Sequence, residues 1–414
     1  MRLLSRTILS SIFLCAAVEG LAAQPFFAEI GSLDGGTLRS IAEGISADGV
    51  VASGDSGVVN GLYPTEGVIW TRAEGLRSIV PGRHSDCEGG GVNGIGTVIT
   101  GGLIGNRTRY VYMWTPEGGV VELGDLDGGI FRSGATDVSA RGDVIVGYGN
   151  SHDGGEAFRW TAETGMVGLG DLPGGPFSSG ASAVSADGLV VVGGSRVEAG
   201  WEAFRWTAET GMVSLGDLPD GNVSGSATAV SADGSVVVGN GFDESGQRAF
   251  RWTAADGMVA IEKIHEDQSH QRAYDTSWDG NVIVGELGSS SAGTGPFYWT
   301  PEDGTRLLID VFQDHGVEVP DGWRLSRASG VSADGRTIVG YGVSPHGNTQ
   351  GWVAYLGPTC RADYDEDGVM TEADVTAYLL VWQRRNLFAD WNYDGNINII
   401  DLLGFFNEWA AGCE

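Results

Sequence analysis

Ala249-Phe250-Arg251-Trp252-Thr253-Ala254-Ala255-Asp256-Gly257-Met258-Val259-Ala260-Ile261 is one copy of a unit that recurs along most of the chain. Its tryptophan has equivalents at Trp70, Trp114, Trp160, Trp206, Trp299 and Trp352, so the intervals along the chain are 44, 46, 46, 46, 47 and 53 residues. A second landmark, the glycine of a turn that reads Asp-Gly in five of seven copies, falls at Gly49, Gly96, Gly142, Gly188, Gly234, Gly280 and Gly335, at intervals of 47, 46, 46, 46, 46 and 55 residues. Self-similarity at such a period marks an array of supersecondary units, each unable to bury its apolar face alone.

The unit around Trp252 reads as four short strands. Ala227 to Ser231 leads into a Ser-Ala-Asp-Gly turn, then Ser235 to Gly239, a variable loop, Ala249 to Thr253, a glycine turn, and Met258 to Ile261. Alternating Val, Ala, Phe and Trp between Gly-marked turns is a strand pattern, and Gly supplies the positive φ that tight hairpins require. The seventh unit lacks a fourth strand after Trp352. That strand is found at the other end, where Phe27-Ala28-Glu29-Ile30-Gly31-Ser32-Leu33 aligns with Val120-Val121-Glu122-Leu123-Gly124-Asp125-Leu126. An N-terminal strand completing the last unit removes exposed edges, which an open stack would not need. The expected fold is all-β, a seven-bladed β-propeller over residues 24–357 closed by the N-terminal strand, with a small α-helical module over residues 358–414. The small residues of the first strands suit a central channel. The two short turns share one face, and the variable loops and blade connectors share the other.

Composition limits the function. The chain of 414 residues has 69 Gly and a formal net charge of −30, which disfavours nucleic acid and anionic lipid and favours cations. Residues 1–23 read as a signal peptide: a basic start through Arg6, an apolar stretch too short to span a bilayer, and small residues at Gly20-Leu21-Ala22-Ala23. The expected location is therefore secreted or cell-surface, with no membrane span. Cys15 falls inside that segment. Cys360 and Cys413 bracket the tail, and a disulfide between them would stabilise by about 4 kcal/mol in the chain-entropy account. Cys87 is left as a lone buried thiol or a redox or metal site.

Several features read two ways. Asp125, Asp171 and Asp217, with Asp34 and Asp127, recur in the connectors and would either ring a cation or accept local backbone N–H bonds. Gly54-Asp55-Ser56-Gly57 spells a serine nucleophile signature inside a repeat, and Arg141-Gly142-Asp143 an adhesion tripeptide at the standard turn. His265, Glu266, Asp267 and His270 form either a metal cluster or a solvated connector. The longest connector, from Gln313 to Trp323, is where function would sit on an otherwise regular ring. Tyr63, Tyr110, Tyr148, Trp201, Phe242 and His346 dot the variable loops with aromatic groups that suit a polysaccharide or protein ligand. No catalytic or organic-cofactor residues stand out.

The tail carries a different chemistry. Asp363, Asp365, Asp367, Val369, Thr371 and Asp374 place oxygens at alternating loop positions around Gly368, and Asp390, Asn392, Asp394, Asn396, Asn398 and Asp401 repeat the pattern 27 residues on around Gly395. Spacing of this kind converges side-chain oxygens and one carbonyl on a hard divalent cation, so two calcium ions are expected. Each loop leads into a helix with apolar residues at helical spacing. With 11 acids against three Arg after Cys360, folding is expected to depend on the cation.

Two resemblances follow from these residues. Glu202-Ala203-Phe204-Arg205-Trp206-Thr207 with Gly211-Met212-Val213-Ser214-Leu215-Gly216-Asp217-Leu218 resembles the bacterial extracellular HAF repeat, which implies export but no particular activity. The paired loops, with Asp at position 12, resemble the type I dockerin module. That resemblance implies two EF-hand-type calcium loops and a cohesin-like or other cell-surface protein partner. The function expected is a secreted, non-catalytic binding or surface-display protein. The alternatives are an extracellular polysaccharide-acting enzyme, hydrolase or lyase, and a structural envelope component.

Overall fold

Two glycine turns per repeat let a four-stranded antiparallel meander form. The computed structural model describes residues 24–33, 39–57, 66–79, 86–104, 108–130, 132–219, 221–289, 293–358, 361–364 and 370–412. The repeat of Trp206 runs through Ser179–Val184, Val190–Val197, Gly200–Thr207 and Gly211–Ser214, each strand paired to the next. All seven glycines of this turn sit at φ between 70° and 77°. Positive φ is only half the reason for glycine there. A Cβ at Gly188 would come within 2.5 Å of Val144 Cγ2, and one at Gly234 within 2.4 Å of Val190 Cγ2. In six of the seven repeats the turn thus lies directly on a valine at the start of the second strand of the repeat before, and Gly49 lies on Thr337 in the same way.

The recurrent Phe-Arg-Trp run has a packing explanation. Phe158, Phe204 and Phe250 are fully buried. Phe250 sits in a cluster with Val192, Ala203 and Leu215 of the preceding repeat. The arginine between Phe and Trp latches onto the following repeat. Arg159, Arg205 and Arg251 donate through Nε to the carbonyls of Gly188, Gly234 and Gly280 at 3.2, 3.2 and 3.3 Å. In the turn itself the Ser231 hydroxyl donates to Asp233 Oδ1 and accepts from Val236 N–H, both at 2.9 Å.

Five sheets hold four strands each, and an eight-stranded sheet joins the repeats of Trp252 and Trp299 through one parallel pair, Gln247 with His270. Phe26–Glu29 adds to Thr349–Tyr355 with Glu29 opposite Trp352, as the sequence alignment of the two ends anticipates. On the turn face a belt of backbone hydrogen bonds runs from repeat to repeat. The N–H of Gly94 donates to Ala140, Ala140 to Ala186, Ala186 to Ala232, Ala232 to Trp278, Trp278 to Ala333 and Ala333 to Ala47, and Asp48 N–H returns to the Gly94 carbonyl, all at 2.9–3.1 Å. The array is closed.

The long connector differs from its expected role. Its start overlaps the end of a helix α1, Leu308–Asp314, that buries Leu308, Val311 and Phe312. Its far end places Trp323 edge-on to Phe27, which stacks on Trp352. The insertion therefore seals the closing strand.

The tail holds α2, Glu372–Gln383, and α3, Ile399–Ala411, related by the 27-residue repeat. Tyr378 and Phe405, equivalent positions, stack at 4.0 Å and 5°. Trp382 Nε1 donates to the Asn398 carbonyl and Trp409 Nε1 to the Thr371 carbonyl, at 3.0 and 3.2 Å. Among the described residues no helix is long and apolar enough to cross a membrane. Residues 1–23, with the expected signal peptide and Cys15, and Cys360 and Cys413 of the expected bridge lie outside the described residues, as does the Cys87 side chain.

Candidate functional site

A closed ring of near-identical repeats can discriminate only where the repeats differ. The largest differences fall on the second strand, one residue past its conserved small position. There the chain carries Asp55, Gly102, Tyr148, Gly194, Asn240, Glu286 and Tyr341, opposite Ile41, Glu88, Gly134, Gly180, Ser226, Arg272 and Arg327 of the first strands. Bulk and charge collect on one side of the ring and glycine on the other.

On the filled side, buried Glu286 accepts from Arg272 and from the Tyr274 hydroxyl through Oε1 and from Arg327 through Oε2, all at 2.9 Å. Arg327 also lies over the Tyr274 ring at 4.1 Å. The arginine and tyrosine donors hold the Glu286 carboxyl below its usual range against the opposing effect of burial. Both arginines of this network are thus committed to one carboxylate.

On the glycine side lies a cleft of about 830 Å³, lined by Arg109, Arg132, Tyr148, Asn150, Trp201 and a set of Ser, Thr and Gly residues. The glycines make it. A Cβ at Gly102 would lie 2.7 Å from Arg109 Nε, one at Gly134 2.8 Å from the Tyr148 hydroxyl, and one at Gly194 3.4 Å from the Trp201 indole. Arg109 sits over the Tyr148 ring at 5.4 Å. Trp201, at a hairpin tip, is 40% exposed. The described lining contains no Asp, Glu, His or Cys. Arg109, Thr136, Tyr148 and Ser182 also line the axial channel of about 420 Å³, so the two spaces are contiguous.

Two carboxyls in the channel break the repeat pattern and went unremarked in the sequence. Asp137 accepts from its neighbour Val138 and from Val184 of the next repeat, and Asp275 accepts from Thr276 and Val331, all at 2.8 Å. Desolvation pushes both half-buried carboxyls up to about 7. Their two backbone donors each make them clamps between repeats. The signal available in the sequence was their replacement of Ala183, Ala229 or Gly330 at an otherwise small position.

At the other end of the channel the second tail loop docks. The Tyr393 ring meets Trp278 edge-on at 5.0 Å, and Leu387 packs on Ala140, Ala186 and Ala232. The belt residue that is glycine, Gly94, admits the loop, since a Cβ there would lie 2.0 Å from the Tyr393 carbonyl oxygen.

The candidate cation residues are distributed as follows. In the second loop Gly395 has φ 78° and Tyr393 φ 57°, a tight reversal. Asp390 accepts from Asp394 and Gly395 N–H at 3.1 and 2.6 Å, and Asp394 accepts from Asn396 N–H at 2.8 Å. Burial, then the nearby charges of Asp401 and Asp394, push the Asp390 carboxyl up to about 7. Asn398 and Asp401 form a capping box on α3, and Thr371 and Asp374 form one on α2. Asp374 also accepts from Tyr364 N–H at 2.7 Å. Asp365, Asp367 and Val369 of the first loop lie outside the described residues, and Asp363 is its one described member before Thr371. Among the described residues no group of three or more His, Cys, Asp or Glu is placed to hold a metal ion.

The other motifs resolve locally. Asp125 accepts from the Ser133 hydroxyl and from Leu126 N–H, and Asp34 lies outside the described residues. Asp267 accepts from the Ser289 hydroxyl at 2.9 Å. Ser56 is buried within the strand Val51–Gly57, and Arg141 pairs with Asp143 at 2.9 Å beside Gly142. Of the loop aromatics, Tyr148 and Trp201 reach the cleft, and Tyr63 lies outside the described residues.

No family model and no curated protein matches the chain. Solved structures do match its fold. An oligogalacturonate lyase in complex with manganese aligns with 80% of this chain and 96% of its own, at 11% identity and a TM-score of 0.51. An oligogalacturonate lyase from Vibrio parahaemolyticus aligns with 80% and 97%, at 9% identity and 0.51. A prolyl endopeptidase aligns with 78% of this chain but only 51% of its own, at 12% identity and 0.51. The chain is thus mostly β with a β-propeller fold. The resemblance to HAF repeats and to dockerins is corrected by these findings, and the cohesin partner goes with it. The physical reason is that the quoted motifs serve general needs. Phe-Arg-Trp and Asp-Gly fill, latch and turn the repeats, and the loop-final Asp374 and Asp401 cap helices, so neither pattern is specific to a family.

Proposed function

We propose that the chain is an exported, non-catalytic binding protein: residues 1–23 a signal peptide, residues 24–357 a seven-bladed propeller, residues 358–414 a calcium-folded module. The observation that carries the reading is the cleft lined by Gly180 and Gly194, with Gly102 and Gly134 leaving room for the Arg109 and Tyr148 side chains, present where the repeats depart from one another. Half-exposed Trp201, Tyr148, and a lining of Ser, Thr and Asn suit an extended hydroxyl-rich polymer such as a polysaccharide. A hydrolase or lyase needs a positioned acid or base, and the described cleft lining holds no carboxyl or imidazole for that role. The seven-member belt supports the blade count, with the eight-stranded sheet as two adjacent blades.

For calcium, the second loop fits in chemistry. Asp390, Asn392, Asp394, Asn398 and Asp401 side chains and the Asn396 carbonyl are hard oxygen donors in a tight reversal set by Gly395, and Asp363, Asp365, Asp367, Val369, Thr371 and Asp374 would hold the first ion. Bound calcium would offset the mutual repulsion of these carboxyls. Exposed Ile399, Ile400 and Leu403, at 59%, 57% and 56%, give α3 an apolar surface for a protein partner that tethers the molecule.

The test is retention of the full chain on a panel of insoluble polysaccharides, with the supernatant assayed for sugar. Retention lost in Trp201→Ala supports the reading. Release of sugar would replace it with an enzyme acting on polysaccharide.

A further inference from the structure

We infer that the cleft selects an oligosaccharide carrying carboxylates, and that Arg132 reads the charge. The inference rests on the cleft being the recognition site. It starts from an imbalance. A chain with 54 acids and 24 Lys plus Arg repels anions at a distance, yet the described cleft lining carries exposed Arg132 and no acid.

The ring shows what its structural arginines look like. Arg272 and Arg327 both end on buried Glu286, and Arg159, Arg205 and Arg251 on turn carbonyls. Arg132 ends on neither. It is exposed, and its backbone bridges to that of Arg109, with the Ser133 N–H donating to the Arg109 carbonyl at 3.2 Å. The backbone pairing fixes Arg132 at the edge of the cleft, with its side chain in the described lining. A guanidinium presents a planar fork of donors that matches a carboxylate with two parallel hydrogen bonds.

The rest of the cleft decides between anions. Trp201 and the Tyr148 ring supply flat apolar faces, and Ser178, Ser182 and Ser226 supply hydroxyls, which together match sugar rings. A nucleic acid carries a phosphate at every nucleotide, and the surrounding net negative charge opposes so dense a polyanion. A uronate-type oligosaccharide carries one charge per ring on a hydroxyl-rich frame.

The experiment is calorimetric titration of the full chain with oligogalacturonate and with its fully methyl-esterified form, which keeps the rings and removes the charge. The acid is expected to bind about tenfold more tightly or better, as one charge-assisted pair allows. Raising the salt should shrink that ratio. Arg132→Gln should bring acid and ester to within about threefold by weakening the acid more than the ester, and Trp201→Ala should weaken both. Equal affinity for acid and ester, or a preference that survives in Arg132→Gln, overturns the charge-reading role. If a neutral polysaccharide is retained through Trp201 while the acid form is not, selection of carboxylates fails and the recognition cleft stands. If neither acid, ester nor any neutral polysaccharide binds, both fall.

Discussion

Gly94→Ala isolates the docking of the tail from the stability of the ring. The belt itself accepts alanine, since Ala47, Ala140, Ala186, Ala232 and Ala333 occupy the matching places. The severe conflict is with the tail, since the belt's Ala140 carbonyl oxygen would lie 3.3 Å away. A methyl at Gly94 would stand 2.0 Å from the Tyr393 carbonyl oxygen and 3.2 Å from its carbon. Backbone atoms cannot rotate aside, so the second loop must move off and give up the edge contact of Tyr393 with Trp278 and the seat of Leu387. Overpacking of this kind costs about 1–3 kcal/mol, and a middle value of about 2 kcal/mol shifts a docking equilibrium roughly 30-fold. Limited proteolysis reads this directly when cleavage follows the undocked fraction. Cleavage in residues 358–370 should accelerate by about that factor, while the melting temperature of the ring stays where it was. Unchanged cleavage, with the tail still seated, would refute the assignment of Gly94 as its receptor.

Other predictions follow from closure, burial and the loops. Phe27→Ala removes the ring held between Trp323 and Trp352, and for this half-buried side chain the loss should be about 2 kcal/mol by denaturant titration, with aggregation as the last sheet exposes its edge. Asp137 and Asp275 have carboxyls near 7 in the folded chain, above the ordinary value, so their stabilising effect is full at about pH 4 and is lost as the pH rises through 7. The melting temperature of wild type relative to Asp275→Asn should therefore fall between those values; a rise would contradict the burial argument. Calcium at a hundredfold above its dissociation constant should stabilise the tail by about 2.7 kcal/mol, a gain that chelator reverses and Asp394→Ala diminishes. A tail equally stable in both conditions would remove the calcium proposal.

The ring was legible because its signals are periodic. Trp and Gly landmarks at near-constant spacing marked the repeats, and the orphan strand at Phe27 marked closure. Structural roles for Arg141-Gly142-Asp143 and for Ser56 could be read from their place in the repeat. What could not be read was anything set by contacts between distant repeats. Asp137 and Asp275 looked like two more acids until their backbone donors in the next repeat were in view. The cleft arises from glycines at Gly102, Gly134 and Gly194, residues that in one dimension are indistinguishable from the other glycines of the chain. The connector from Gln313 to Trp323 invited a functional reading by its length, whereas its apolar residues, Val317 among them, mark it as core. The family resemblances failed for the converse reason. Local motifs that any tight β-repeat or capped helix favours are too general to carry kinship.

The measurement that bears most directly on the account is hydrogen–deuterium exchange of the full chain with and without a saccharide that it retains. The account predicts protection confined to the cleft, at the start of Arg109–Thr115 and of Gly200–Thr207 and around Tyr148, with the turn face and the filled side near Glu286 unchanged. Protection centred on the turn face or on α3, with the cleft exchanging as before, would contradict it.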